Sequence, residues 1–149
     1  MNATSTLRFD GCLATNLEQA YHHLEQIYQQ LIGPLGLSLL EWYALRALYA
    51  EDGVSASRLA ALVCRHPSSM TALLDHMEDK GLLRRQTDVD DRRSVRVYLT
   101  DQGRAFHPQI EASAGQLDHL LTNLITPEQM AVFRAVLGIL QEVRVAEKA

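Results

Sequence analysis

The chain has 149 residues, 47% of them hydrophobic and 21% charged, with a formal net charge of −4. That is the size of one domain with apolar residues enough for a core, and it excludes a disordered polyelectrolyte. The opening segment MNATSTLRFDGCLA lacks the apolar stretch of a signal peptide, and no apolar run reaches the ~18 residues of a membrane span, so a cytoplasmic protein with no membrane partner is expected.

In chain order, Leu13, Leu17, Ala20, Leu24, Ile27 and Leu31 recur every three to four residues, the stripe of an amphipathic helix that stops at Gly33-Pro34. Ser38, with Glu41 three residues on, reads as a capping box for a second helix running to Asp52-Gly53. Ser55 opens a short third helix through Leu59, Ala60, Leu62 and Val63. Pro67 suits the first turn of a fourth, whose Met70, Leu73, Leu74 and Met77 make a buried face ending at Gly81.

After Gly81 the period changes from helical to alternating. LLRRQT and SVRVYLT read as two antiparallel strands, with Val95, Val97 and Leu99 on one face of the second and Arg96 and Tyr98 on the other. Thr100 caps a fifth helix in which His107-Pro108 should produce a kink. Thr126-Pro127-Glu128-Gln129 then opens a last helix. That helix carries two apolar faces, Met130, Phe133, Leu137 and Leu140 on one and Val132, Val136, Ile139 and Val143 on the other. One face serves its own chain; the second calls for another copy.

The segment DVDDRRSVRVYLTDQG, residues 88–103, poses the functional question. Five of the fourteen basic residues, Arg84, Arg85, Arg92, Arg93 and Arg96, fall between positions 84 and 96 of an acidic chain. Two short helices followed by a locally positive ribbon describe a winged helix-turn-helix, in which the second helix enters the major groove and the ribbon tip meets a minor groove or the backbone. Clustered guanidiniums suit that role because phosphates and narrow grooves hold negative potential. A neighbouring aspartate can hold an arginine's direction before DNA arrives.

Residues 55–103 resemble the DNA-binding core of the MarR family of regulators. The resemblance is carried by Leu59-Ala60, Thr71, the stretch MEDKGL at 77–82, Arg85, the D-x-x-D-x-R pattern of Asp88, Asp91 and Arg93, and Leu99-Thr100 followed by Gly103. It implies a mainly α fold with a small two-stranded β wing, one domain over 1–149 with a winged helix-turn-helix at 38–100, and dimerisation helices at 8–33 and 101–146. It implies a homodimer gripping a pseudo-palindromic operator on double-stranded DNA, most often as a repressor. Carried over by position, Arg93 is the wing-tip residue of the minor groove and Asp91 its orienting partner. Ser68, Ser69, Thr71, Ala72, Asp75 and His76 fall on the exposed face of the recognition helix, and Ser55, Arg65, His66, Arg85 and Arg92 complete the expected DNA-binding set. The helix from 67 to 79 has no Lys or Arg, and Ala72 stands where the family often has a basic residue. Arg65 and His66 at its start can compensate, and the hydroxyls of Ser68, Ser69 and Thr71 suit phosphates.

No catalytic motif, metal set or cofactor loop is present, so no enzyme and no cofactor is expected. The family also implies an effector pocket between dimerisation helices and winged core. Tyr21, Tyr28, Trp42 and Tyr43 are its candidates, with His22 or His23 as polar contact to a small aromatic or phenolic ligand. Cys12 lacks a complete thiol-sensing set: the family's peroxide-sensing branch surrounds its thiol with tyrosines, where this chain has Asn16, Gln26 and Leu39. A redox regulator using Cys12, and a helical protein-interaction module with little DNA binding, are the alternatives. Cys64, at an apolar helix end, is expected in the core.

Overall fold

The computed structural model describes residues 12–143, which form two compact units, one running up to Ser113 and the other starting at Ala114. The signal-peptide reading of the opening segment, and the ends of the expected dimerisation segments at 8–11 and 144–146, lie outside the described residues.

The first unit opens with α1 (Leu13–Ile32), a 3-10 turn over Gly33–Leu35, and α2 (Leu39–Ala50). The capping box forms as expected: Ser38 Oγ accepts from the Glu41 N–H at 3.3 Å, and the Glu41 carboxylate accepts from the Ser38 N–H at 2.7 Å. A two-residue strand β1 (Val54–Ser55) leads into α3 (Ala56–Leu62), whose first turn is capped by Ser55 Oγ accepting from the Arg58 N–H at 3.1 Å. The recognition element starts as a 3-10 turn, Pro67–Ser69, and continues as α4 (Met70–Asp79). Pro67 tolerates that start because it has no N–H to leave unpaired.

Strands β2 (Leu83–Thr87) and β3 (Val95–Leu99) pair antiparallel from Leu83 opposite Leu99 to Thr87 opposite Val95. The short β1 adds to the free edge of β3, so the sheet has three strands in the order β1-β3-β2. Val97 and Leu99 are buried, while Val95 near the tip is exposed. The fully buried Trp42, Leu45, Leu48, Leu59, Met70, Met77, Leu82, Leu83 and Val97 draw on α2, α3, α4 and the sheet. Each such aliphatic side chain contributes about 1.5–3 kcal/mol, and together they hold α4 and the wing on one scaffold.

Thr100 Oγ1 accepts from the Gly103 N–H at 3.0 Å to start α5 (Asp101–Ala105). The kink expected at His107-Pro108 is a full break: α5 ends, Phe106 bonds back to the Gly103 carbonyl at 3.3 Å, and α6 (His107–Thr122) starts afresh. Pro108 cannot donate to the Arg104 carbonyl and its ring crowds that group, which ends the first helix.

In the second unit, α7 (Pro127–Glu142) begins at a capping box in which Thr126 Oγ1 accepts from the Gln129 N–H at 3.3 Å and Gln129 Oε1 accepts from the Thr126 N–H at 2.8 Å. Val132, Phe133, Val136, Ile139 and Val143 are about half or more exposed in the single chain, Val136 at 46% being the least. Among the described residues, no helix is long and apolar enough to cross a membrane.

Candidate nucleic-acid interface

The wing tip is folded by its aspartates. Asp88 is buried, and its carboxylate accepts from the Asp90 N–H at 2.9 Å and from Arg96 Nε. The Asp90 N–H and then the Arg96 guanidinium hold the Asp88 carboxyl below its ordinary range. Arg96 also donates to the Gly53 carbonyl at 3.0 Å, tying the tip strand to the turn before β1. Ser94 closes a turn by donating to the Asp91 carbonyl at 2.8 Å. The resemblance implies Asp91 as the orienting partner of Arg93, and the bond between them in the structure is to the backbone. The Asp91 carboxylate accepts from the Arg93 backbone N–H at 3.0 Å, the local bond an aspartate makes two residues ahead. It therefore sets the direction in which residue 93 leaves the loop, and the guanidinium stays free.

The five arginines of this segment divide clearly. Arg96 is held by Asp88. Arg85 donates from Nε and Nη2 to Glu78 at 2.9 and 2.6 Å and from Nη2 to Asp75 at 2.7 Å. Its backbone N–H also meets Glu78 at 3.0 Å, and that bond with the guanidinium keeps the Glu78 carboxyl low. Arg84 lies over the Tyr98 ring at 5.1 Å. Arg84, Arg92 and Arg93 are exposed with no carboxylate within 4 Å among the described residues, and of these Arg92 and Arg93 stand at the tip while Arg84 is stacked on Tyr98. Two of the wing's three unneutralised positive charges therefore lie at its tip, and the third, Arg84, lies on β2.

On α4, Thr71, Ala72, Asp75 and His76 are exposed, as are Ser68 and Ser69 on the turn before it, while Met70, Leu73, Leu74 and Met77 face inward. Arg85 offsets the charge of Asp75 on this face, although Asp79 one turn on is exposed with no ion pair among the described residues, and it links α4 to the wing. A second brace comes from Glu41, wholly buried on α2, whose carboxylate receives Lys80 Nζ at 2.8 and 3.0 Å and lies 3.4 Å from His76 Nδ1. Burial raises its pKa, but Lys80 and the Ser38 cap outweigh burial and hold Glu41 below the ordinary carboxylate range. The capping motif is visible in the sequence; the second role of Glu41 depends on a residue 39 positions away and is not. Ser55 is engaged in capping α3 and is half-buried. Arg65 and His66 are exposed at the turn between the helices. Cys64 is a correction: it is exposed, not core, because the turn places it at φ 53°, where the chain reverses between α3 and the recognition element.

The MarR family model matches residues 37–95, which span α2 to the wing. An HTH-type transcriptional repressor of Mycobacterium tuberculosis is 35% identical over 99 residues, covering 66% of this chain and 71% of that protein. The chain belongs to the MarR family. It is a DNA-binding transcriptional regulator rather than an enzyme. Among solved structures, the repressor CouR bound to a 23-mer DNA duplex superposes with a TM-score of 0.78 at 24% identity, covering 87% of this chain and 92% of CouR. BpsR of Bordetella bronchiseptica, whose DNA binding is regulated by 6-hydroxynicotinic acid, superposes with a TM-score of 0.83 at 22% identity, covering 92% of this chain and 98% of BpsR. This MarR protein thus shares its fold with both.

The candidate effector residues of this MarR chain separate into two groups. Tyr28, Trp42 and Tyr43 meet edge to face, with ring centroids 5.3–5.9 Å apart, and Arg46 lies 4.6 Å over the Trp42 ring. Trp42 is fully buried and donates from Nε1 to Ser113 Oγ at 2.8 Å. Burial, reinforced by Tyr28, pushes the Tyr43 hydroxyl well above its ordinary pKa. Tyr21, His22 and His23 lie on exposed positions of α1, with His22 bonded to Glu25 at 3.2 Å. At the start of α1, the backbone N–H groups of Thr15 and Ala14 lower the Cys12 thiol from its ordinary value.

Proposed function

We propose that this protein is a cytoplasmic homodimeric repressor that binds a pseudo-palindromic operator and is released by a small planar aromatic effector. The observation that carries the reading is the unpaired Arg92 and Arg93 at the tip of a wing whose Arg85 and Arg96 are held by carboxylates and whose Arg84 is stacked on Tyr98. Residues 38–100 act as the DNA-binding core, with Arg93 in the minor groove, Arg92 on phosphate, and Ser68, Ser69, Thr71, Ala72 and His76 facing the major groove. Arg65 flanks that face. Arg85, Asp75, Asp91 and Ser55 serve by shaping it. Residues 8–33 and 101–146 form the dimer, in keeping with Leu13, Leu17 and Tyr21 on α1 and the apolar face of α7, all exposed in one chain. Half-buried Tyr28 and Tyr43, packed on the enclosed Trp42, together with exposed Arg46 offer an aromatic, cationic surface to an anionic ring. Binding there releases DNA when it moves the two recognition helices off the ~34–36 Å spacing of one DNA turn.

The test is threefold. Sedimentation of the wild type should give a dimer, and Val136→Asp with Ile139→Asp a monomer. Affinity for duplex DNA should fall linearly in log-log form with salt, by about 0.9 per phosphate contact. A planar aromatic carboxylate should release that duplex from wild type and not from Tyr28→Ala. Salt-independent binding, or a monomer that grips DNA as the wild type does, defeats the reading.

A further inference from the structure

A recognition helix without Lys or Arg must read bases by other donors, and the local hydrogen bonds determine which side chains can supply one. His66 precedes the 3-10 turn, and its Nδ1 accepts from the Ser68 backbone N–H at 3.3 Å. An amide N–H can only donate, so Nδ1 carries a lone pair and the neutral ring bears its proton on Nε2. Ser68 Oγ lies 2.7 Å from the same Nδ1, so its hydroxyl proton also points at the ring. Ser69 Oγ donates to the His66 carbonyl at 2.8 Å. Both serines spend their donors inward and turn only lone pairs outward, contrary to the expectation that their hydroxyls suit phosphates. In the run from His66 to Ser69, the Nε2–H of exposed His66 is the one side-chain donor left for DNA.

From this arrangement we propose that His66, in its Nε2–H tautomer, is a specificity-determining residue that reads a purine N7 in the major groove; the inference rests on the DNA-binding reading above. Residues at the start of a recognition helix are those that meet base edges. Adenine and guanine both present N7 there, whereas neither pyrimidine presents an acceptor at that place. A lone N–H donor therefore selects purine over pyrimidine without separating adenine from guanine, unlike the bidentate arginine contact that picks guanine alone. Asp75, which would compete for such a donor from the same face, is occupied by Arg85 at 2.7 Å.

The same chemistry could be met by a phosphate oxygen, and the experiment separates the two. Full-length wild type and His66→Asn are each used to select duplexes from a random-sequence pool. Asparagine keeps an oxygen for the Ser68 N–H, and with it the cap, but is too short to present the donor at the same place; an unchanged melting temperature verifies the cap. The wild-type pool should contain a position restricted to purine, with adenine and guanine equally accepted, and the His66→Asn pool should lose that restriction. Replacing the purine by 7-deazaguanine or 7-deazaadenine should weaken wild type by about five- to tenfold, the scale of one hydrogen bond, and leave His66→Asn unchanged. Indifference of wild type to every 7-deazapurine overturns the assignment without reference to any variant. So does a purine restriction that survives His66→Asn, or a His66→Asn loss that is uniform over all sequences, which puts the donor on phosphate. If wild type selects nothing and shows no salt-dependent binding, the DNA-binding reading itself falls, a distinct result.

Discussion

Gly103→Ala should destabilise the protein, although it replaces glycine by the best helix former inside a helix. A Cβ at position 103 would stand 2.0 Å from the Leu82 carbonyl oxygen and 3.2 Å from Leu99 Cδ2. Carbon-to-oxygen contacts normally settle near ~3.3 Å, so α5 must move off the backbone between α4 and β2 by about 1 Å. That movement works against the Thr100 N–H bond to Leu82 O at 3.2 Å and the Tyr49 hydroxyl bond to the Gly103 carbonyl at 2.6 Å. Overpacking costs about 1–3 kcal/mol, a weakened hydrogen bond about 1 kcal/mol more, and the gain in helix propensity returns about 1 kcal/mol. The net loss of about 1–3 kcal/mol should lower the melting temperature by roughly 3–10 °C, read by circular dichroism. Gly115, within α6, has nothing within 4 Å of its added Cβ, so Gly115→Ala should raise the melting temperature by about 1–4 °C. A Gly103→Ala protein that melts at or above wild type would refute the close approach of α5 to the sheet.

Glu41→Ala keeps the bond from the residue 41 N–H to Ser38 Oγ but removes the carboxylate that accepts from the Ser38 N–H and holds Lys80, at about 1 and about 1.5–3 kcal/mol respectively, so urea unfolding should show a loss of about 2.5–4 kcal/mol. Glu41→Gln, which can still cap, should lose less; equal stability of Glu41→Ala and wild type would contradict the brace. Arg85→Ala should weaken binding to a fluorescent duplex several-fold, on the order of 1 kcal/mol, by freeing Asp75 and Glu78 to repel phosphate, and Asp75→Ala in the same chain should restore part of it. A double variant no better than the single one would mean that Arg85 touches DNA itself. Acid should also unfold the protein through Glu41, Glu78 and Asp88, all held below their ordinary values. A depressed carboxyl adds stability above its unfolded value near about 4, and that stability fades as pH falls through the lower folded value. Asp88→Asn should therefore be less stable at neutral pH yet lose less stability between about pH 4 and 2 than wild type, and parallel stability curves would contradict the role of Asp88.

The helix starts are legible because their signals are local: Ser38 with Glu41, Ser55, Thr100, and Thr126 with Gln129 cap within three residues of themselves. The alternation of SVRVYLT is equally local and locates the wing. Strand β1 is not legible, since two residues have no period and its pairing with Val97 and Arg96 joins segments about forty positions apart. Composition counts the wing's arginines without distinguishing the held ones from the free ones, because Glu78 reaches Arg85 across a turn and Arg96 reaches Gly53 across the sheet. Cys64 carries no sequence sign of its left-handed backbone, which glycine or asparagine would have announced. Pro108 marks where a helix is disturbed but not that it ends and restarts.

The central claim is that the wing tip meets DNA through Arg93 more than through its neighbour. Binding of wild type, Arg92→Ala and Arg93→Ala to two duplexes of the same core, one with A·T-rich and one with G·C-rich flanks, measures it directly across a salt series. Arg93→Ala should lose much more affinity than Arg92→Ala on the A·T-rich duplex, whose narrow minor groove attracts an inserted guanidinium, and should erase the preference between flanks. Arg92→Ala should keep that preference and lower the salt slope by about 0.9, the signature of one phosphate contact. Equal losses for the two variants on both duplexes would contradict the account.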